Sequence, residues 1–209
     1  MNEYLIPTEE AHAEFVEKRS RFIGHIWPVE TEDEAIALIK KIREKYYDAT
    51  HNVYAYIIHN GAMRYSDDSE PQGTAGMPVL EVLRREQLEN VLCVVTRYFG
   101  GILLGAGGLV RAYTKAAKLG VDQAGISCMR IWDEVSLPCS YNLYDRVKKA
   151  LETYDGQIAA TQYGSDIQLT CLLPQSKAAD FLDKIVDISC GKLSGTVVSQ
   201  QFRAFPLEK

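Results

Sequence analysis

The chain has 209 residues, of which 46% are hydrophobic and 24% charged, a balance typical of a globular protein. Its net charge of −5 excludes a general attraction to nucleic acids or anionic membranes, so any nucleic-acid contact requires a local basic surface. The five cysteines are scattered without CxxC spacing, which favours reduced thiols. The N-terminus is acidic and no apolar stretch reaches about 20 residues, so we expect a cytoplasmic protein without a membrane span.

The first half of the chain alternates between strand and helix patterns. Residues 20–29 predict a strand, and Thr31 with Glu34 predicts a capping box for a helix that ends near Tyr47. Residues 52–59 predict the next strand. The remaining predictions for this half are a polar loop over 60–76, a short helix over 78–88, an apolar central strand over 91–99, a helix over 106–123, and a strand or linker over 126–132.

The second half has a more regular pattern, with strand and helix signals in the order βαββαβ. This is the ferredoxin-like plan, and Gly164-Ser165 marks its hairpin. We therefore predict an α+β protein with an N-terminal α/β domain over 1–131 and a ferredoxin-like domain over 132–209. The predicted strands are 133–139, 157–163, 166–172 and 196–203, and the predicted helices are 140–155 and 175–188.

A glycine-rich block separates the apolar strand at 91–99 from the helix that follows it. So many glycines next to an apolar, core-like sequence indicate a backbone that bends tightly or that other atoms approach closely. The two common phosphate motifs are absent, because no GxxxxGK[ST] occurs and Val110 stands at the third position of GxGxxG. Two interpretations stay open, a tight turn or an anion held by amides at the helix N-terminus. The glycines are Gly100, Gly101, Gly105, Gly107 and Gly108.

A basic stripe lies on the helix that the glycine block opens. Arg111, Lys115 and Lys118 recur at i, i+4 and i+7, which places them on one helix face. Arg97 lies just upstream, and no acidic residue follows in sequence before Asp122. The ordinary interpretation is a solvated helix face, and the alternative is a surface that contacts phosphates.

Carboxylates and small polar residues dominate the loop before the predicted short helix. Their spacing does not match a calcium loop and HExxH is absent, so we predict neither a metal site nor a cofactor. Asp67 and Asp68 are expected to cap backbone amides or to pair with Arg21, Arg64 or Arg97. The candidate residues of this loop and its surroundings are His51, Asp67, Asp68, Glu70, Gly73 and Thr74.

Four motifs occur in order: SRFIG (20–24), DATHNVYAY (48–56), DDSEPQGTAGMPVLEVL (67–83) and TRYFGGILLGAGGLVRAYTKA (96–116). Together they resemble the IMPACT family, in its bacterial YigZ-type members, over nearly the whole chain. Two positions depart from the family pattern. Val53 stands where cysteine is common, and Ser69 replaces the usual glycine.

The resemblance implies a fold and a role. The resemblance implies that the N-terminal domain is similar to a βαβ domain of ribosomal proteins and to domain IV of elongation factor G. It implies that the C-terminal domain is similar to the ferredoxin-like domain V of that factor. Eukaryotic relatives are implied to regulate translation, and bacterial ones to bind nucleic acid or the ribosome.

These patterns predict a translation-associated regulator that binds RNA or a ribosomal surface. The predicted contacts are the five glycines with Arg64, Arg97, Arg111, Lys115 and Lys118, and the candidate residues of the polar loop form the rim. One alternative is a hydrolase-type enzyme that uses His51, Asp68 and Glu70 for acid–base chemistry, although no nucleophile motif accompanies them. A second is a protein–protein adaptor that acts through the ferredoxin-like domain.

Overall fold

A computed structural model describes residues 3–207, which divide into two compact units. The first consists of Tyr4–Cys128 with the residues from Ala204 onward, and the second is mainly Met129–Arg203. In chain order the elements are β1 Tyr4–Pro7, β2 Ala11–Glu17, β3 Ser20–Pro28, α1 Glu32–Lys45, β4 His51–Ile57, β5 Met63–Ser66, α2 Gly76–Arg85, β6 Val91–Tyr98, α3 Ala106–Ala124, β7 Ile126–Cys139, α4 Tyr144–Thr153, β8 Gln157–Tyr163, β9 Ile167–Pro174, α5 Gln175–Ser189 and β10 Thr196–Pro206.

The first unit is built on a five-stranded antiparallel sheet in the order β2-β3-β6-β4-β5. Strand β6 lies at its centre and is buried on both faces, as its continuous apolar sequence predicts. Leu92 and Val94 pack in one core with α1, whereas Val91, Cys93 and Val95 pack in another with α2 and α3. The sheet is therefore covered by one helix on one face and by two on the other.

Helix α1 begins where the sequence predicts. The side chain of Thr31 accepts a hydrogen bond from the Glu34 amide at 3.2 Å, and Glu34 Oε2 accepts one from the Glu30 amide at 2.8 Å. This exchange satisfies amides that the first helical turn leaves unpaired.

Helix α3 packs unusually close to β3 because a glycine lies between them. A Cβ atom at Gly24 would lie 2.2 Å from the Ala116 carbonyl oxygen, so no larger residue fits there without movement of the helix. Gly120, one turn further along α3, lies against the same part of β3. This contact fixes which face of α3 is turned to solvent.

The second unit has the predicted element order βαββαβ, with its four strands in the order β10-β7-β9-β8. Helices α4 and α5 pack on this sheet through a separate core that includes Val147, Leu151, Phe181 and Ile185. The predicted α+β fold class is confirmed.

Some elements differ from the sequence predictions. Strands β1 and β2 were not predicted, and β5 lies within the predicted polar loop. β1 and β5 have only four residues each, and β2 and β5 are sheet edges, so pairing with neighbours rather than local pattern determines them. The residues predicted as two segments around residue 132 form one continuous strand, β7, and the predicted division between residues 131 and 132 falls inside it.

Candidate nucleic-acid interface

The turn between β2 and β3 brings two basic residues to the edge of the first unit. Glu17 pairs with Ser20 in the ladder, so Lys18 and Arg19 form a two-residue hairpin turn. Both have left-handed backbone, with φ of 45° and 66°, as the tightest hairpin turns require. Their side chains point away from the core and are exposed.

Gly100 packs against this hairpin turn. A Cβ atom at Gly100 would lie 2.1 Å from the carbonyl carbon and oxygen of Arg19, and the Gly100 amide donates a hydrogen bond to Ser20 Oγ at 3.1 Å. The close approach that the glycine block predicted therefore occurs here with the protein's own chain.

The other glycines surround the start of α3. Gly101 and Gly105 have φ of 82° and 74°, and Cβ atoms at either would meet open space. Gly105 occupies the N-cap position without a side-chain cap, and the first turn of α3 holds no acidic residue. The amides at this helix end carry a partial positive charge that no carboxylate of that turn offsets.

A groove of about 250 Å³ joins the hairpin turn to α3. Lys18 comes from the hairpin, Arg111 and Lys115 come from α3, and Leu104 lies on the loop between β6 and α3. Within residues 3–207 none of the three cations forms an ion pair, and Lys115 Nζ lies 4.4 Å from the ring centre of Phe15. We call this the basic groove, and its lining is Phe15, Glu17, Lys18, Leu104, Gly108, Arg111, Ala112 and Lys115.

Arg97 does not belong to the groove, which corrects its predicted role. It is only 5% exposed, and its Nη1 donates a hydrogen bond to Glu70 Oε1 at 2.5 Å. The signal was present in the sequence, because alternation along β6 places Arg97 on the same face as Val95 and Cys93. That face is the one covered by α2 and α3.

Lys118 and Arg64 are already paired with acids. Lys118 Nζ lies 2.8 Å from Glu86 Oε1 and 2.9 Å from Asp122 Oδ1, so two carboxylates balance its charge. Glu86 follows α2, and no sequence pattern indicated that it reaches α3. Arg64 Nε lies 3.5 Å from Glu32 Oε1, away from the lining of the basic groove.

Asp67 caps helix α2. Its carboxylate accepts hydrogen bonds from the amides of Gly73, Ala75 and Gly76 at 2.8 to 3.0 Å. Gly73 has φ of 75°, and the Thr74 hydroxyl donates to the Pro71 carbonyl at 2.6 Å. The loop is thus closed by its own hydrogen bonds, as the capping interpretation predicted.

Asp68 is likewise engaged by the protein. Its Oδ2 accepts a hydrogen bond from the Asn52 amide and its Oδ1 from Arg43 Nη2, both at 2.7 Å. Asp68 and Ser69 both have left-handed backbone, with φ of 45° and 70°. A glycine at position 69 would adopt this conformation without steric cost, whereas serine adopts it at a steric cost.

Glu70 is buried among polar side chains beneath the sheet. Its Oε1 accepts hydrogen bonds from Arg97 and from the Tyr113 hydroxyl, the latter at 2.7 Å. Burial, and then the nearby Glu70 carboxylate, raise the pKa of Tyr113 far above its usual value. His51 Nε2 lies 3.7 Å from the same oxygen, while His51 Nδ1 hydrogen-bonds the Asp68 carbonyl. These contacts give structural roles to His51, Asp68 and Glu70, the three residues of the enzyme alternative.

Two further features of the described part of the chain concern other kinds of site. None of its helices is long and apolar enough to cross a membrane. Residues 3–207 also contain no group of three or more His, Cys, Asp or Glu side chains arranged to hold a metal ion.

Lys18 is the cation of the groove that the sequence patterns did not predict. Its signal was the polar run Glu17-Lys18-Arg19-Ser20 before the strand at residue 20, which suits a two-residue turn. Because β2 was not predicted, these four residues were interpreted as the segment before the first strand and not as a turn. The groove depends on a hairpin that the alternating sequence of β2 marks only weakly.

Comparison with protein families gives two matches along the chain. The Impact N-terminal domain matches residues 18–121, and a domain of unknown function (DUF1949) matches residues 137–192. The first match contains every residue of the basic groove except Phe15 and Glu17.

Similar proteins cover almost the whole chain. The IMPACT family member YvyE of Bacillus subtilis (strain 168) is 34% identical over 92% of this chain and 89% of its own length. The IMPACT family member YigZ of Escherichia coli (strain K12) is 33% identical over 92% and 97%. A solved structure described as the crystal structure of a hypothetical protein is 32% identical, with a TM-score of 0.60 over 95% of this chain and 98% of that one.

Proposed function

Since the chain belongs to the IMPACT family, we propose that it is a translation-associated protein that binds RNA, free or on a ribosomal surface, through the basic groove. The observation that carries this proposal is the convergence of Lys18, Arg111 and Lys115, from two distant segments, without ion-pair partners among residues 3–207. A chain of net charge −5 that keeps three such cations together has a local surface suited to phosphates.

The backbone of the groove supports the same ligand chemistry. Gly107 and Gly108 begin α3 without bulky side chains, and a Cβ atom at Gly107 would be 3.6 Å from Arg111 Nη1. A phosphate seated beside Arg111 would therefore meet the positive end of α3 as well as the guanidinium group.

The test is a salt series of RNA binding with three charge-neutralising variants. Arg111→Gln and Lys115→Gln each remove a cation of the groove, and Lys118→Gln is the matched control on the same helix because Glu86 and Asp122 already neutralise it. Each lost phosphate contact should weaken binding and reduce the slope of log K against log salt by about 0.7–0.9. The control should leave that slope unchanged.

Ribosome co-sedimentation at low and high salt extends the test to the proposed setting. The wild type should sediment with ribosomes at low salt, and the Arg111→Gln/Lys115→Gln variant should sediment less. Salt-independent binding, or equal binding by the double variant and Lys118→Gln, contradicts the proposal, because phosphate contacts release counterions.

The alternatives receive less support from the contacts. The carboxylates of the enzyme alternative cap amides and pair with arginines, which leaves them engaged in structural bonds. The adaptor alternative rests on the second unit, where Tyr141 and Tyr163 are exposed. Isolated exposed aromatics are common on protein surfaces and identify no partner.

A further inference from the structure

The loop between β6 and α3 exposes three large apolar side chains in sequence order. Phe99 is 45% exposed, Ile102 40% and Leu103 82%. Exposed apolar side chains grouped on one loop indicate a binding surface more often than singly scattered ones do. We call residues 99–104 the apolar loop.

The apolar loop adjoins the basic groove. Leu104, its last residue, lines the groove together with Lys18 and Arg111. No acidic residue occurs in the sequence between Asn90 and Asp122, so neither the loop nor the start of α3 carries negative charge of its own. A ligand that covers both the apolar loop and the basic groove must present phosphate groups and flat apolar surfaces close to each other.

The ring of Phe99 is held in place from one side. The Arg97 guanidinium lies 5.5 Å from the centre of this ring and is itself fixed by Glu70. Gly101 and Gly105 give the segment between them its left-handed turns and leave Leu103 projecting. An anchored aromatic ring and a projecting aliphatic side chain on the same loop are suited to stacking on one base and separating it from the next.

We propose that the apolar loop is a wedge that inserts at unpaired bases, so that the RNA bound by the basic groove is a loop, bulge or single-strand junction. This rests on the proposed function, since the groove must hold the flanking phosphates. Regular A-form duplex buries its base faces in the stack, whereas unpaired bases are free to stack on aromatic side chains.

The experiment uses the full chain and two hairpin RNAs that differ only in a three-nucleotide bulge, which contains 2-aminopurine. The wild type should bind the bulged RNA at least about tenfold more tightly than the regular stem, a factor that stacking of one base commonly supplies. Binding should also raise 2-aminopurine fluorescence, because insertion of the loop separates that base from its neighbours.

Leu103→Ser is the test variant, and Val198→Ser, which also removes an exposed apolar side chain, is the matched control. Leu103→Ser should lose the preference for the bulge and the fluorescence rise but keep its salt-dependent binding to the regular stem. Val198→Ser should keep both.

Four outcomes overturn the wedge. Equal binding of both RNAs by the wild type, or a preference that survives Leu103→Ser, rejects it while leaving the basic groove as an RNA site. Absence of binding to either RNA at low salt rejects the wedge and the proposed function together. Binding to phosphatidylglycerol vesicles that exceeds RNA binding and is lost in Leu103→Ser assigns the loop to a bilayer instead.

Discussion

His25 is an ionisable side chain placed where its charged form is strongly disfavoured. It lies on β3, is 4% exposed, and stacks on Trp27 with ring centres 5.6 Å apart. Its Nε2 has no hydrogen-bond partner in the described part of the chain. Burial, with smaller contributions from His12 and Lys45, lowers the pKa of His25 from 6.5 to about 4. The ring is therefore neutral in the folded protein near neutral pH.

This pKa predicts an acid-side loss of stability. Between pH 6.5 and 4 the unfolded chain takes up a proton at this ring and the folded chain does not, so the free energy of unfolding falls as the pH falls. From pH 7.5 to pH 4.5 His25 should account for a loss of about 2–3 kcal/mol. Urea unfolding at both pH values measures it.

A His25→Phe variant is the control, since it keeps an aromatic ring on Trp27 and cannot be protonated. Carboxylates also titrate in this range, so the informative quantity is the difference between variant and wild type. Equal acid-side losses in the two proteins would show that His25 does not cause the effect.

At the scale of elements, the position of α3 depends on the glycine beneath it. A methyl group at Gly24 would overlap the Ala116 carbonyl, whereas at Gly107 it would meet only the flexible end of Arg111. Gly24→Ala should therefore destabilise the protein by at least about 1–3 kcal/mol, the usual cost of overpacking. Gly107→Ala should stabilise it by about 0.5–1 kcal/mol, because alanine loses less backbone entropy in a helix.

Chemical denaturation of the two alanine variants measures both effects. Gly107→Ala also tests the groove, since its added methyl group occupies the space where a phosphate would approach the amides of α3. A variant that is more stable yet binds RNA more weakly would support that approach. A Gly24→Ala variant as stable as the wild type would show that α3 shifts at little cost.

Elements with a strong local pattern could be predicted from the sequence. Helix α1 has a capping box and a periodic apolar face, and β6 is apolar from Val91 to Val95. The edge strand β2 has a weaker pattern, because much of its stability comes from pairing with β3 rather than from its own residues.

The same distinction holds for the candidate site. Helical spacing alone placed Arg111 and Lys115 on one face, since both belong to one element. Lys18 joins them only through the fold of the hairpin. Strand alternation places Arg97 on the inward face of β6, but its partner Glu70 is remote in sequence, and a linear pattern does not contain that pairing.

At the scale of the molecule, the second unit has its own core and contains none of the residues of the basic groove. A fragment of residues 129–203 should therefore fold by itself with one cooperative urea transition and bind no RNA. Circular dichroism and RNA titration of the fragment check this.

A shorter fragment that begins at residue 140 serves as the comparison. It lacks β7, which lies between β10 and β9, and should not fold. A fragment of 129–203 that unfolds without cooperativity, or that binds RNA as tightly as the full chain, would contradict this view of the two units.

The central strand pair of the first sheet sets the timing of folding during synthesis. β3 pairs with β6 along nearly its whole length, and residues 29–90 separate the two strands in sequence. Closing so long a loop is slow, and the pairing is impossible until β6 has left the ribosomal exit tunnel. The edge of β3 that pairs with β6 stays unpaired for that interval, so slow translation of the glycine block that follows β6 would lengthen the period in which the nascent chain needs a chaperone.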